Sequence, residues 1–238
     1  MMTTTRARVN CLLAITVPFA FAGCVKLARE SPRLQLYVLG GGSASAVPIG
    51  AQGAPPPARG TFSVGLRRVE LASYLSVPAV MMRRGANQLI TSGFHRWGGD
   101  LDEGINRAVG AYLAASPRIR AVDVAPWTAR ARHDVLVQLY VSRFEGVADS
   151  AAIDGRVHVM AGWDIIRPFD GAVLVHGRTD DRGGAFRVGD YAGLVTGLDA
   201  ALSRVAHDIG ACLARFPNDS TPPSSCGSAS TGSGGSGR

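Results

Sequence analysis

Lysine is nearly missing from this chain. Of 25 basic residues, one is a lysine, Lys26, and the rest are arginines. With so much Ala and Gly, that bias reflects GC-rich coding more than a functional basic face. The formal charge of +7 is therefore weak support for a nucleic-acid partner. No Lys/Arg block or aromatic-basic interleaving of the nucleic-acid kind occurs, and no nucleic-acid partner is expected. Other chemistry is missing too. There is no G-x-x-x-x-G-K-[ST], so the chain is not itself an ATPase. There is no G-x-S-x-G elbow. Gly40-Gly41-Gly42 come after the strand-like Tyr37-Val38-Leu39, but Ser45 stands where the third glycine of a dinucleotide fingerprint belongs. The next stretch of chain is Pro-rich rather than helical, so that reading fails.

Histidine is sparse. His95, His133, His158, His176 and His207 show no His-x-x-x-His spacing, and no Cys-x-x-Cys accompanies them, so neither a metal nor another cofactor is expected. His133-Asp134 and His207-Asp208 are neighbours in sequence, but adjacent side chains diverge on a strand or helix. His133 is expected to top a strand, His207 to lie near the apolar border of a helix, and His158 with Met160 to face solvent or a partner. Asp102 and Glu103 read as helix-start residues rather than paired catalytic acids. The chain is expected not to be an enzyme. A periplasmic hydrolase using His133 or His207 is the weaker alternative.

Long apolar runs are also lacking. The one from Cys11 to Gly23 is about 13 residues and contains Pro18, well short of the roughly 20 that span a bilayer. It comes after Arg6 and Arg8 and ends in Phe21-Ala22-Gly23-Cys24. A positive start, a short apolar stretch and small residues before a cut site make a secretory signal. A cysteine directly after the cut resembles a bacterial lipobox, although Phe21 stands where Leu is usual. Residues 1–23 are thus expected to be a lipoprotein-type signal peptide and Cys24 the lipid-bearing first residue. Ordinary cleavage is the alternative. Val25, rather than an aspartate, resembles lipoproteins sent on to the outer membrane.

Loss of residues 1–23 removes Arg6 and Arg8, taking the charge from +7 to +5. The mature chain of about 215 residues suffices for one domain with a proper core. Of four cysteines, Cys11 leaves with the signal and Cys24 carries lipid. An oxidising envelope permits Cys212 and Cys226 to pair, but Cys226 lies in a stretch expected to be mobile, and spacing does not decide the matter. That stretch, 217–238, is Ser/Gly/Pro/Thr-rich and expected to be disordered. Residues 24–33 form a tether. The domain is expected over 34–216, with a Gly/Pro/Ala-rich loop at 40–60.

Within the domain, strands are expected at 34–39, 61–71 and 80–92, the last bending into a hairpin about Arg84-Gly85-Ala86-Asn87. Val135, Val137, Leu139 and Val141 alternate, as do Val157, Val159, Ala161, Trp163 and Ile165. A further strand starts at 172 and closes in turn residues at 180–184. Three strands joined by turns make an antiparallel meander. One helix is expected from about 101 to 115, with Asp100 and Glu103 forming a capping-box-like start. Another runs from about 191 to 215, capped by Asp190, with an apolar stripe from Tyr191 to Leu213. The fold class is α/β: a compact sandwich of a mixed, largely antiparallel sheet with two main amphipathic helices packed on it. Trp163 is expected in the core. Trp97 and Trp127 sit at element ends, where an aromatic can anchor a partner or a membrane surface.

These residues resemble the ABC-type transport auxiliary lipoproteins (PqiC-like, of paraquat-inducible systems). The resemblance runs from the lipobox through Tyr37-x-Leu39, Val64-Gly65, Tyr74-Leu75-x-x-Pro78, Arg96-Trp97 and Pro126-Trp127. It continues with Arg143-Phe144-Glu145-Gly146, Trp163, Tyr191-x-x-Leu194-Val195 and Leu202-Ser203-x-x-Ala206-x-Asp208-Ile209. It implies a non-enzymatic accessory role in lipid transport, docking a transport system to the outer membrane. The implied partners are an MCE-domain (PqiB-like) protein and its inner-membrane permease. Tyr74, Leu75, Trp97 and Trp127 are the candidates for partner or lipid contact. The implied place is the periplasmic face of the outer membrane, lipid-anchored, and a homo-oligomer would suit a tunnel-forming partner. An assembly or scaffold lipoprotein of another envelope system is the alternative, because the fold alone does not decide.

Overall fold

The computed structural model describes residues 33–41, 60–128, 130–216 and 226–227. The expected signal peptide 1–23, Cys24, most of the tether, most of loop 40–60 and most of the tail lie outside these residues. Among the described residues, eleven strands form one mixed sheet: β1 (Gln35–Tyr37), β2 (Phe62–Leu66), β3 (Glu70–Leu71), β4 (Ala79–Arg84), β5 (Gln88–Trp97), β6 (Ile119–Val124), β7 (Val135–Ala148), β8 (Asp154–Ile166), β9 (Val173–Asp181), β10 (Ala185–Arg187) and β11 (Cys226–Gly227). Two helices, α1 (Leu101–Ala114) and α2 (Tyr191–Ala214), pack against it. No helix among the described residues is long and apolar enough to cross a membrane.

The main path runs β1-β5-β4-β7-β8-β9-β11. The meander β7-β8-β9 is antiparallel throughout. The β4–β5 hairpin is also antiparallel and turns at Gly85, whose φ of +57° suits glycine. The other edge of β7 is parallel: β2, β3 and β4 succeed one another along it, pairing near Val135, Tyr140 and Gly146. One expected strand at 61–71 is therefore two, broken at Arg67–Val69. There the chain shifts along β7, and Val69 N–H donates to the buried Asn106 of α1 at 3.2 Å. The sheet is mixed as expected, with more parallel pairing than local patterns revealed.

Both helices begin and end within a residue of expectation, but their caps differ. Asp190 accepts from Gly193 N–H at 2.9 Å. Asp100 occupies the N-cap of α1 without a side-chain cap bond, so the capping box is not formed. Its neighbour Asp102 instead accepts from Arg68 at 2.7 Å. The core lies between sheet and helices. Trp163, Leu139, Ile165, Phe144 and Ile105 meet Leu194, Leu198, Leu202 and Ile209 there, all essentially inaccessible. Trp163 lies over Gly177, the residue opposite it on β9, so closely that a Cβ there would collide with the indole.

Beyond the end of α2, the tail returns to the sheet. Cys226 is buried, forms β11 beside β9, and is disulfide-bonded to Cys212 of α2 with Cα atoms 5.5 Å apart. Only Cys226 and Gly227 of the expected disordered tail, 217–238, are among the described residues, and both are paired in the sheet. Pairing with the β9 edge and the bond to α2 supply the ordering that local composition lacks.

Candidate functional site

The site grows from a bulge in β7. Val135, Val137, Leu139 and Val141 all point toward the helices. Strict alternation would send Arg143 and Glu145 the same way. Between Val141 and Arg143, however, the register with β8 shifts by one residue. The extra residue reverses the side-chain parity. Phe144 and Gly146 now face the helices, and an added Cβ on Gly146 would meet Phe186 and Leu194. Arg143 and Glu145 face the opposite, helix-free side.

Glu145 is fully buried there. Its carboxylate accepts from Arg83 Nε at 2.6 Å and Nη2 at 3.1 Å, and from Arg143 Nη1 at 3.3 Å. The Tyr74 hydroxyl lies 3.2 Å from the same carboxylate and 3.1 Å from the Ser142 carbonyl oxygen. Burial, with the Glu145 charge as the next cause, pushes the Tyr74 phenol up to about 12. Opposite Glu145 on β8 stands His158, bonded to Asp180 of β9 at 2.9 Å. Asp180 also accepts from Arg182 at 3.0 and 3.2 Å, and that bond, ahead of the one from His158, holds its carboxyl below the usual range. His158 is thus buried and paired, contrary to the expectation that it faces solvent or a partner, because two neighbouring strands enclose it. A carboxylate so surrounded by donors is braced rather than poised for proton transfer.

Beside this network a cleft of about 420 Å³ with a mixed apolar and polar lining opens at the start of α1. Val69, Leu71, Leu75, Val77, Pro78 and Leu101 line it, with Asp100 and Asp102 also present. A smaller hollow of about 70 Å³ shares Gly99, Asp100 and Leu101 and is walled by Tyr37, Leu39 and Trp97. The short 3₁₀ turn Ser73–Leu75 places Leu75 in one wall and Tyr74 on Glu145.

The four contact candidates therefore separate. Leu75 and Trp97 are 1% and 6% exposed, so they support the clefts from within instead of presenting an aromatic or aliphatic anchor at the surface. Trp97 packs 5.8 Å from Phe144, which is why an element-end tryptophan went into the core. Tyr74 joins them through Glu145. Trp127 does not: half-buried ahead of β7, it packs edge-on against His133, ring centroids 4.9 Å apart. His133 is bonded there to Asp123 at 2.9 Å. His207 is exposed on α2, not at its apolar border. Among the described residues no His, Cys, Asp and Glu cluster could hold a metal ion. Arg83 and Glu145 were not singled out as site residues. The usable signal is a glutamate between Phe144 and Gly146 in a long, largely apolar strand that also holds Gln138, Ser142 and Arg143.

The family model described as ABC-type transport auxiliary lipoprotein component matches residues 47–210. Among solved structures, a protein from Xanthomonas campestris is similar at 15% identity and a TM-score of 0.54, over 75% of this chain and 91% of that one. A PelC dodecamer from Paraburkholderia phytofirmans is similar at 16% identity and a TM-score of 0.38, over 63% and 89%. Lipoprotein GNA1162 from Neisseria meningitidis is similar at 12% identity and a TM-score of 0.32, over 62% and 99%. No curated protein matches at a significant level. The first of these similarities shows a shared fold.

Proposed function

The chain belongs to the ABC-type transport auxiliary lipoprotein component family, and we propose that it is a non-catalytic accessory of an MCE-type lipid transport system. Cys24 carries the lipid anchor, at the periplasmic face of the outer membrane. The folded domain docks the transporter there and supports envelope integrity. Its partners are an MCE-domain protein and the associated inner-membrane permease.

The observation that carries the reading is the family match, which spans most of the folded domain. The Phe21-Ala22-Gly23-Cys24 sequence supports the anchor. The site supports a binding role: a cleft of about 420 Å³ lined both by aliphatic side chains and by Asp100 and Asp102 suits insertion of an apolar partner side chain flanked by a basic one. Val77, 38% exposed at this cleft, offers the first point of contact.

The test is crosslinked affinity capture of the tagged lipoprotein from envelope membranes, read by mass spectrometry. Recovery of an MCE-domain protein with its permease is the expected result. Recovery of unrelated envelope proteins alone overturns the transporter assignment in favour of a scaffold lipoprotein.

A further inference from the structure

β1 ends the sheet. It is hydrogen-bonded to β5 through Gln35, Leu36 and Tyr37, and no strand among the described residues pairs with its outer edge. Its two faces differ sharply. Gln35 and Tyr37 share the face toward α2, Gln35 exposed and Tyr37 half-buried: the Tyr37 hydroxyl bonds Gln35 at 2.8 Å and His95 at 2.9 Å, and His95 stacks on Tyr191 of α2 at 4.0 Å. Leu34, Leu36 and Val38 turn the other way and are 56%, 60% and 61% exposed. Leu36 lies opposite Arg96 of β5, so Phe94, two residues earlier and 43% exposed, shares this face. Four large apolar side chains thus lie side by side in water. Arg96, exposed, sits among them opposite Leu36, and the exposed Arg33 directly precedes Leu34 in sequence. Other strongly exposed apolar residues, such as Ile153 and Phe169, stand on separate hairpin turns.

The place of this patch in the chain matters as much as its composition. Leu34 stands ten positions after Cys24. Ten residues span at most about 35 Å when fully extended. A domain of this size is itself about 40 Å across, so the patch stays near whatever membrane holds the anchor. The intervening sequence adds Lys26 and Arg29 against Glu30. Apolar side chains bordered by arginines on a short leash match the headgroup boundary of an anionic bilayer.

We propose that β1 and Phe94 are a membrane-docking surface. Leu34, Leu36, Val38 and Phe94 enter the headgroup–acyl boundary, and Arg33 and Arg96 meet anionic lipid phosphates. The domain is thereby held in a defined orientation, with α1 and α2 on the side of the sheet away from the lipid. This inference rests on lipidation of Cys24, the anchor proposed above.

The test uses the acylated full chain reconstituted into vesicles of phosphatidylethanolamine and phosphatidylglycerol. Spin labels are placed at Leu36→Cys, at Phe94→Cys and, as a control, at Phe169→Cys. With Cys24 acylated and Cys212 bonded to Cys226, no other thiol competes. The expected result is a gain of about threefold in the ratio of oxygen to nickel-chelate accessibility at 36 and 94 on adding vesicles, with no gain at 169. Adding Val38→Glu should return the label at 94 to its value in water.

Three results overturn the proposal, and they are distinct. An acylated, vesicle-bound protein whose label at 36 stays in water removes the docking surface and leaves the anchor standing. A label at 36 shielded from both reagents shows a second copy covering β1. A protein of unmodified mass that washes off the vesicles removes the anchor and the docking surface together.

Discussion

Arg83 and Glu145 make a two-point ion pair between the parallel strands β4 and β7, at 2.6 and 3.1 Å, with the carboxylate wholly out of water. Arg83 lies opposite Val147, so the pair bridges a diagonal of the ladder. Charges taken out of water need every partner they have, and removing one leaves the other costly. Glu145→Ala should lower unfolding free energy by about 3 kcal/mol in guanidinium titrations. Arg83→Met combined with Glu145→Leu should recover most of that loss, since no charge is then stranded. A single variant as stable as the parent would refute the brace.

Tyr74 depends on the same carboxylate. Its phenol titrates near 12 in the folded chain against about 10 unfolded. The folded state therefore favours the neutral hydroxyl. That contribution is fully present below pH 10 and is lost as pH rises through about 12. Discounted for partial exposure, it amounts to roughly 1–2 kcal/mol. Stability measured from pH 9 to 12 should fall across this window, and the fall should be smaller in Tyr74→Phe.

Gly177 has no room for a side chain beneath Trp163. Gly177→Ala should displace the indole and cost about 3 kcal/mol, the upper end of overpacking. Differential scanning calorimetry measures the loss, and near-ultraviolet circular dichroism should report the changed tryptophan environment. Retention of both signals would show that β9 can shift away at little cost.

The disulfide closes a separation of 14 residues between α2 and β11. A loop of that size stabilises by roughly 3 kcal/mol through restriction of the unfolded chain. Cys226→Ser should reduce stability by that amount and release the tail from β9, seen as faster hydrogen exchange near Gly177. The parent protein under reductant should behave alike.

Val77→Glu should abolish capture of the transporter partner while leaving the unfolding midpoint within experimental scatter. Val77 is 38% exposed and supports little of the core, so its loss acts on binding. Undiminished capture would place the partner surface elsewhere on the domain.

Much of this molecule was written in local patterns. Period-two alternation in Val135–Val141 and Val157–Ile165 is a property of each strand alone, and it yielded the meander. The 3.6-residue stripe from Tyr191 to Leu213 likewise yielded α2, and Arg84-Gly85-Ala86-Asn87 yielded the hairpin. Two short strands, β6 and β11, carried no such signal. Ile119–Val124 has one buried residue, Ile119, and becomes β6 because β2 lies beside it. Cys226–Gly227 becomes a strand through β9 and Cys212.

The sequence by itself determined which faces of the long elements are apolar, where the helices start and stop, and that a lipobox-like Phe21-Ala22-Gly23-Cys24 precedes the domain. These come from side-chain periodicity, turn chemistry and residue order, all local properties. Only the tertiary structure decided that one bulged residue turns Glu145 away from the helices, toward Arg83 and Tyr74. Only it sent Trp97 and Leu75 inward while leaving Leu36 and Val38 in water. Those outcomes depend on which strand lies next to which, and strand neighbours are chosen by packing across the whole domain, not by any residue's own preference.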